Sequence, residues 1–81
     1  MNSPQMTEVH LGCVVSFTDH DAGRRQTYTL VSPHDAAPAN GRLSIVSPIA
    51  RALVGHHVGD LVEVHTPRGV RPLEIAAISA A

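Results

Sequence analysis

Apolar and polar residues alternate near the start of the chain. From residue 9 to residue 17 every second position is apolar, and the intervening positions are mostly polar or glycine, Val14 being the exception. The apolar set is Val9, Leu11, Cys13, Val15 and Phe17. Successive side chains of a strand point to opposite faces, so a period of two predicts a half-buried strand with this set in the core.

Four further segments rich in strand-forming residues, separated by turn residues, predict the rest of a sheet. We expect strands at residues 25–31, 42–46, 61–65 and 70–78, with Leu61 and Val62 in the core. Pro72 has no N–H to donate, so it should lie at a strand start or on an edge. Residues 32–41 carry Pro33, Pro38 and Gly41, which predicts a loop with one helical turn near residues 35–37.

One short helix is predicted between the third and fourth strands. Ser47 has the side chain of a helix N-cap and Pro48 fits the first helical position. Ile49, Ala52 and Leu53 recur at helical spacing, and Gly55 ends the segment. The order β-β-loop-β-α-β-β predicts an α+β fold: a twisted, mostly antiparallel five-stranded sheet with one short helix packed across it.

Composition restricts the function classes. The chain has 81 residues, enough for one domain, which we place at residues 9–81 after a short lead-in at residues 1–8. Its net charge of −1 gives no basic excess for autonomous nucleic-acid binding, so any nucleic-acid contact is expected to be indirect. The single cysteine, Cys13, lies in the apolar register and is expected to be an inert core thiol. No apolar run is long enough to span a membrane and no signal peptide is apparent, so we expect a cytoplasmic protein.

The six histidines and seven carboxylates do not form a metal-binding or catalytic pattern. No His-x-His, His-x-x-x-His or Cys-x-x-Cys pair is present, so we expect no metal and no cofactor. Asp60 and Glu63 are spaced as Mg²⁺ ligands would be on a helix, but in a turn and a strand they should point apart. No Gly-x-Ser-x-Gly segment is present, so we expect no enzyme activity.

The second half of the chain carries a recognisable pattern. Ser-Pro-Ile-Ala-Arg-Ala-Leu at residues 47–53 is followed by Gly-Asp at residues 59–60 and by Thr-Pro-Arg-Gly-Val-Arg at residues 66–71. With the first strands included, residues 9–78 resemble the C-terminal domain of bacterial GreA/GreB transcript-cleavage factors. The resemblance implies an FKBP-like fold and binding to RNA polymerase near the rim of its secondary channel.

In that family a separate N-terminal coiled coil carries the acidic pair that holds Mg²⁺ for transcript cleavage. Only eight residues precede the domain here, so the resemblance is to a module without its catalytic arm, similar to the nucleoside diphosphate kinase regulator Rnk. The resemblance therefore implies a non-catalytic module that binds RNA polymerase and regulates elongation or competes with Gre factors. The expected partner-binding residues are Ser47, Pro48, Ile49, Arg51 and, from proximity, Arg42.

Two alternatives belong to other functional classes. A peptidyl-prolyl isomerase, by fold analogy, would need an aromatic-lined pocket, for which the chain offers only Phe17 and Tyr28. A structural role as a homodimer would use exposed sheet edges, aided by the apolar residues 76–81.

Overall fold

A computed structural model describes residues 8–81 and shows the predicted order of elements. The first hairpin is β1 (Cys13–Asp19) and β2 (Arg24–Val31), and two 3₁₀ turns lead to β3 (Arg42–Ser44). Helix α1 (Pro48–Leu53) then precedes the second hairpin, β4 (Leu61–Thr66) and β5 (Gly69–Ala80). All of the predicted lead-in except Glu8 lies outside the described residues. No helix in the described part of the chain is long and apolar enough to cross a membrane.

The five strands form one mixed sheet in the order β3-β2-β1-β5-β4. Three neighbouring pairs are antiparallel, and the short β2–β3 pair is parallel. The prediction of a mostly antiparallel five-stranded sheet with little helix is confirmed. β5 is the longest strand because it pairs with β1 along its C-terminal part and with β4 along its N-terminal part.

One face of the sheet carries the core. Alternate residues of the strands point to this face, where Ala50 and Leu53 of α1 complete the apolar cluster. The fully buried side chains with the largest volumes are Phe17, Leu30, Leu53, Ile75, Val9, Val15, Val64 and Cys13. Burial of a Leu or Phe side chain contributes about 1.5–3 kcal/mol, so these residues dominate the stability of a domain this small.

The predicted start of the first strand is wrong. β1 begins at Cys13, because Leu11 and Gly12 form a turn in which Gly12 adopts φ +92°. Val9 is still fully buried, but its backbone pairs outside the sheet: its N–H donates to His56 O at 2.9 Å, and its carbonyl accepts from Gly55 N at 2.9 Å. The alternating residues at positions 9 and 13 therefore share a core without sharing a strand.

Two leucines predicted to be buried lie at the surface. Leu11, in the turn before β1, is 55% exposed, and Leu61, the first residue of β4, is 62% exposed. Leu61 precedes buried Val62, so it points to the opposite face of the sheet. The apolar side chain of Leu61 alone therefore did not show which face of β4 packs against the core.

The connection before β3 also differs from the prediction. Its two helical turns are 3₁₀ turns at Pro33–Asp35 and Pro38–Asn40, each beginning at a proline, and neither coincides with residues 35–37. Pro72 is the fourth residue of β5, just outside the last β1 pair, Asp19 with Leu73. The prediction of a strand-start or edge position is therefore wrong: Pro72 lies inside a central strand, where its missing N–H is tolerated because the β1 ladder ends at Leu73.

Candidate functional site

The candidate site is the start of α1, where the chain turns from β3 into the helix. The Ser47 hydroxyl accepts a hydrogen bond from Ala50 N at 3.3 Å, and the Ser47 carbonyl accepts from Arg51 N at 2.9 Å. Ser44 fixes the approach, since its hydroxyl accepts from Val46 N at 3.2 Å and its carbonyl accepts from Ser47 N at 3.0 Å. The predicted N-cap is confirmed, and the segment is held by four hydrogen bonds.

The side chains of α1 divide between core and solvent. Ala50 and Leu53 are buried, and Ile49 is half-buried against the core cluster. Pro48 and Arg51 are exposed, and residues three apart lie on the same side of a helix. Val46, immediately before the cap, is also exposed. The helix start thus presents an apolar and cationic surface on a backbone whose conformation is already fixed.

Arg42 stands apart from this group. It is the first residue of β3, where its N–H donates to Ala37 O at 3.1 Å and its carbonyl accepts from Ala37 N at 2.9 Å. It is exposed, and it precedes buried Leu43, so its side chain leaves the sheet on the face opposite the core. The other four predicted residues lie within one segment, residues 47–51, and Arg42 lies outside it.

An ion pair between Asp19, the last residue of β1, and Arg71 was not predicted from the sequence. The Arg71 guanidinium donates to Asp19 Oδ2 from Nε at 2.9 Å and from Nη2 at 2.7 Å. Asp19 Oδ1 accepts from the backbone N–H groups of Asp21 and Ala22. The Arg71 hydrogen bonds, followed by the Ala22 hydrogen bond, hold the pKa of the Asp19 carboxyl below its usual value. The turn position of Asp19 was readable from sequence, but its partner was not.

The histidines are distributed over separate turns and strands. His20 Nε2 lies 2.9 Å from Glu74 Oε1, and His56 Nδ1 lies 3.2 Å from Asp60 Oδ2. The His57 backbone N–H, which donates to Asp60 at 2.9 Å, and the His56 ring lower the pKa of the Asp60 carboxyl. Among residues 8–81 no group of three or more His, Cys, Asp or Glu side chains is arranged to hold a metal ion.

The remaining sequence candidates have structural roles. Asp60 closes the turn before β4 through its bond to His57 N, while Glu63 lies exposed within β4. Phe17 is buried, and its ring stacks on Tyr28 at a centroid distance of 6.1 Å with an interplanar angle of 17°. The two aromatic side chains therefore pack against each other. Cys13 is a buried free thiol, as its register predicted.

Comparison with protein families identifies one match over nearly the whole chain. The family described as "Transcription elongation factor, GreA/GreB, C-term" matches residues 3–80. Transcription elongation factor GreA of Phenylobacterium zucineum is 44% identical over 71 residues, covering 88% of this chain and 45% of the relative. GreA of Methylobacterium nodulans is 45% identical over 73 residues, covering 90% of this chain and 46% of the relative. The chain spans about half the length of the curated relatives it matches.

Solved structures show the same architecture. GreA factor homolog 1 (Gfh1) of Thermus thermophilus superposes with a TM-score of 0.75 at 33% identity, covering 99% of this chain and 53% of that one. The GreA/GreB elongation factor from Nitrosomonas europaea superposes with a TM-score of 0.73 at 29% identity, covering 96% of this chain and 64% of that one. The curled five-stranded sheet with one short helix is therefore shared with these proteins.

Proposed function

The chain belongs to the GreA/GreB transcription elongation factor C-terminal domain family, and on that premise we propose that it is a non-catalytic module that binds RNA polymerase near the secondary channel. In this role it regulates elongation or competes with Gre factors for the same surface. The proposed contact residues are Ser47, Pro48, Ile49 and Arg51, with Arg42 as an outlying contributor. The proposal also includes the FKBP-like description of the fold, the likeness to Rnk and a cytoplasmic location in bacteria.

The observation that carries this proposal is the preorganised start of α1. Pro48 and Arg51 are exposed beside the half-buried Ile49, on a segment whose backbone is fixed by the Ser44 and Ser47 hydrogen bonds. Binding through such a segment costs little conformational entropy, because its geometry exists before the partner arrives. Arginine and apolar side chains together are typical of protein-protein contact centres.

The carboxylates support a docking role over a cleavage role. The Asp19 carboxylate accepts hydrogen bonds from Arg71, and the Asp60 carboxylate accepts from His57 N. Within residues 8–81, neither carboxylate is paired with a second carboxylate that could share a metal ion. Mg²⁺-dependent phosphoryl chemistry needs carboxylate oxygens available to the ion. We therefore assign this domain a role in binding RNA polymerase and no role in transcript cleavage.

Affinity capture of bacterial RNA polymerase on the immobilised protein tests the proposal. Pro48→Asp should reduce capture, since it places a charge at the centre of the proposed contact. Aspartate is compatible with the first turn of a helix, where a negative charge is favourable, so the variant should keep its fold. Arg51→Glu should act in the same direction by reversing the exposed positive charge.

Matched controls lie at the opposite end of the sheet. Pro67→Asp changes an exposed turn proline between β4 and β5, and Arg24→Glu changes an exposed arginine at the start of β2. Both should capture polymerase as the unmodified protein does. Equal capture by all variants would remove the helix start as the contact surface, and absence of capture by the unmodified protein would remove the function itself.

A further inference from the structure

The outer strand β4 presents an open row of backbone hydrogen-bonding groups. β4 ends the sheet and pairs only with β5. The Ile75 N–H donates to Asp60 O at 3.0 Å, and the Ile75 carbonyl accepts from Gly59 N at 2.8 Å, so residues 59 and 60 together occupy a hydrogen-bonded position opposite Ile75. Hydrogen-bonded and non-hydrogen-bonded pairs alternate along an antiparallel ladder, so Val62, Val64 and Thr66 direct their backbone groups to β5.

The intervening residues of β4 direct their backbone groups outward. These residues are Leu61, Glu63 and His65, whose outward direction follows from the alternation along the ladder and from the position of β4 at the end of the sheet. The pairing of Glu63 with Pro72 supports this assignment independently. Pro72 has no N–H to donate, so it fits a non-hydrogen-bonded pair, in which the backbone groups of both residues point away from the partner strand. Three N–H donors and three carbonyl acceptors therefore face solvent along one edge.

Two of the usual protections of an edge strand, proline and a β-bulge, are missing from β4, while Glu63 supplies a charged side chain and α1 packs against the strand. β4 contains no proline, and its pairing with β5 runs through six residues without a register shift. Its two faces differ sharply: Val62 and Val64 are buried in the core, while Leu61, Glu63 and His65 are exposed, Leu61 by 62%. An edge strand without proline or register shift, and with an exposed apolar residue, can act as a template for another strand.

We propose that β4 pairs with β4 of a second copy of this chain, antiparallel, about a two-fold axis at Val64. The outward groups belong to odd-numbered residues, so only odd residues can face odd residues across the axis. An axis at Glu63 would place two Glu63 carboxylates directly opposite, which is destabilising. An axis at Val64 instead places each Glu63 opposite His65 of the second copy, twice by symmetry.

Hydrogen bonding between complementary side chains favours this occupant and this register, because a carboxylate accepts from an imidazole N–H. Each Glu63–His65 pair would exchange two backbone hydrogen bonds, and the carboxylate would lie beside the imidazole on the exposed face. The product is a continuous ten-stranded sheet with β3 at both ends. A contact made by one short strand buries less than the roughly 1,200 Å² of stable complexes, so the dimer is weak and forms at high protein concentration.

Sedimentation equilibrium over a concentration series tests the dimer on the whole chain. Glu63→Lys places a cation opposite the imidazole and should lower the association constant by about tenfold or more. Glu63→Lys combined with His65→Glu again places a carboxylate opposite a hydrogen-bond donor and should restore association. Asp21→Lys, which makes the same charge change in an exposed turn beyond β1, should leave association unchanged.

Cysteine cross-linking tests the register. A mixture of Glu63→Cys and His65→Cys chains under oxidised glutathione should form the mixed disulfide in preference to either symmetric one, because residues of a hydrogen-bonded antiparallel pair lie about 5.5 Å apart, within disulfide reach. Native Cys13 is buried and does not compete. Symmetric cross-linking of Glu63→Cys would overturn the Val64 axis, and a monomer at every concentration, or association indifferent to Glu63→Lys, would overturn the proposal.

Discussion

Asp19 and Arg71 are fifty-two residues apart in the sequence, yet both guanidinium hydrogen bonds converge on one carboxylate oxygen, at 2.9 and 2.7 Å. The second oxygen of Asp19 closes the turn between β1 and β2 through Asp21 N and Ala22 N. The Asp19 side chain is 5% exposed, whereas that of Arg71 is 39% exposed. One carboxylate thus links the first hairpin to the start of β5.

This pair predicts a loss of stability in acid. The pKa of folded Asp19 lies below its ordinary value of 3.8, so the unfolded chain takes up its proton at a higher pH than the folded chain does. The contribution is complete above the ordinary value and is lost as the pH falls through the folded pKa. Asp60, whose pKa is lowered by His57 N and His56, acts with the same sign.

Urea unfolding of the unmodified protein and Asp19→Asn, followed from neutral pH to about pH 2, measures this contribution. The variant should be the less stable at neutral pH, and the difference should shrink below pH 4. Asp21→Asn removes one carboxylate charge from the adjoining exposed turn and controls for net charge. A difference that stays constant across the acid range would show that the Arg71 contact does not depend on ionised Asp19.

The cap of α1 predicts a moderate stability effect. Ser47→Ala removes the acceptor of the Ala50 N–H and should lower the free energy of unfolding by about 1 kcal/mol. Ser47→Gly should cost only a few tenths of a kcal/mol, since glycine is tolerated at this position. Ser79→Ala, at an exposed position near the end of β5, is the control. Equal effects of Ser47→Ala and Ser79→Ala in urea unfolding would remove the hydroxyl as a stabilising cap.

Two leucines test the assignment of the core. Leu53, the last residue of α1, is fully buried in the core, so Leu53→Ala should cost about 2–5 kcal/mol, a large share of the roughly 4–12 kcal/mol expected for a domain of this length. Leu61 is 62% exposed, so Leu61→Ala should change the free energy of unfolding by less than about 0.5 kcal/mol. Thermal and urea unfolding of the two variants compare them directly. A similar loss at both positions would contradict the exposure of the β4 edge.

Local signals predicted the elements, and non-local contacts determined where some of them begin. The order of strands and helix followed from alternation, turn residues and the Ser47–Pro48 cap, all of which act within a few residues. The segment at Val9 was misassigned because its partners, Gly55 and His56, are distant in sequence. Leu61 was misassigned because an apolar residue at a strand edge can face either side.

The candidate site shows the same division. The segment from Ser47 to Arg51 was located from its own sequence, because capping and helical spacing are local properties. Arg42 was included from sequence proximity, and its place on the opposite face of β3 follows from the burial of Leu43. The Asp19–Arg71 pair was missed because the two residues are distant in the sequence, and no local pattern near Asp19 indicates which arginine it contacts.

The buried thiol of Cys13 predicts a chemical measure of global opening. Its side chain lies at the start of β1 and is fully buried, so a thiol reagent should reach it only when the sheet opens. At the stability expected for this length, alkylation should be slowed at least about a thousandfold relative to the unfolded chain. Cys13→Ala/Leu11→Cys moves the thiol to a position that is 55% exposed and should react at nearly the unfolded rate. Labelling followed by mass spectrometry gives both rates, and rapid alkylation of native Cys13 would show that β1 separates from β5 without global unfolding.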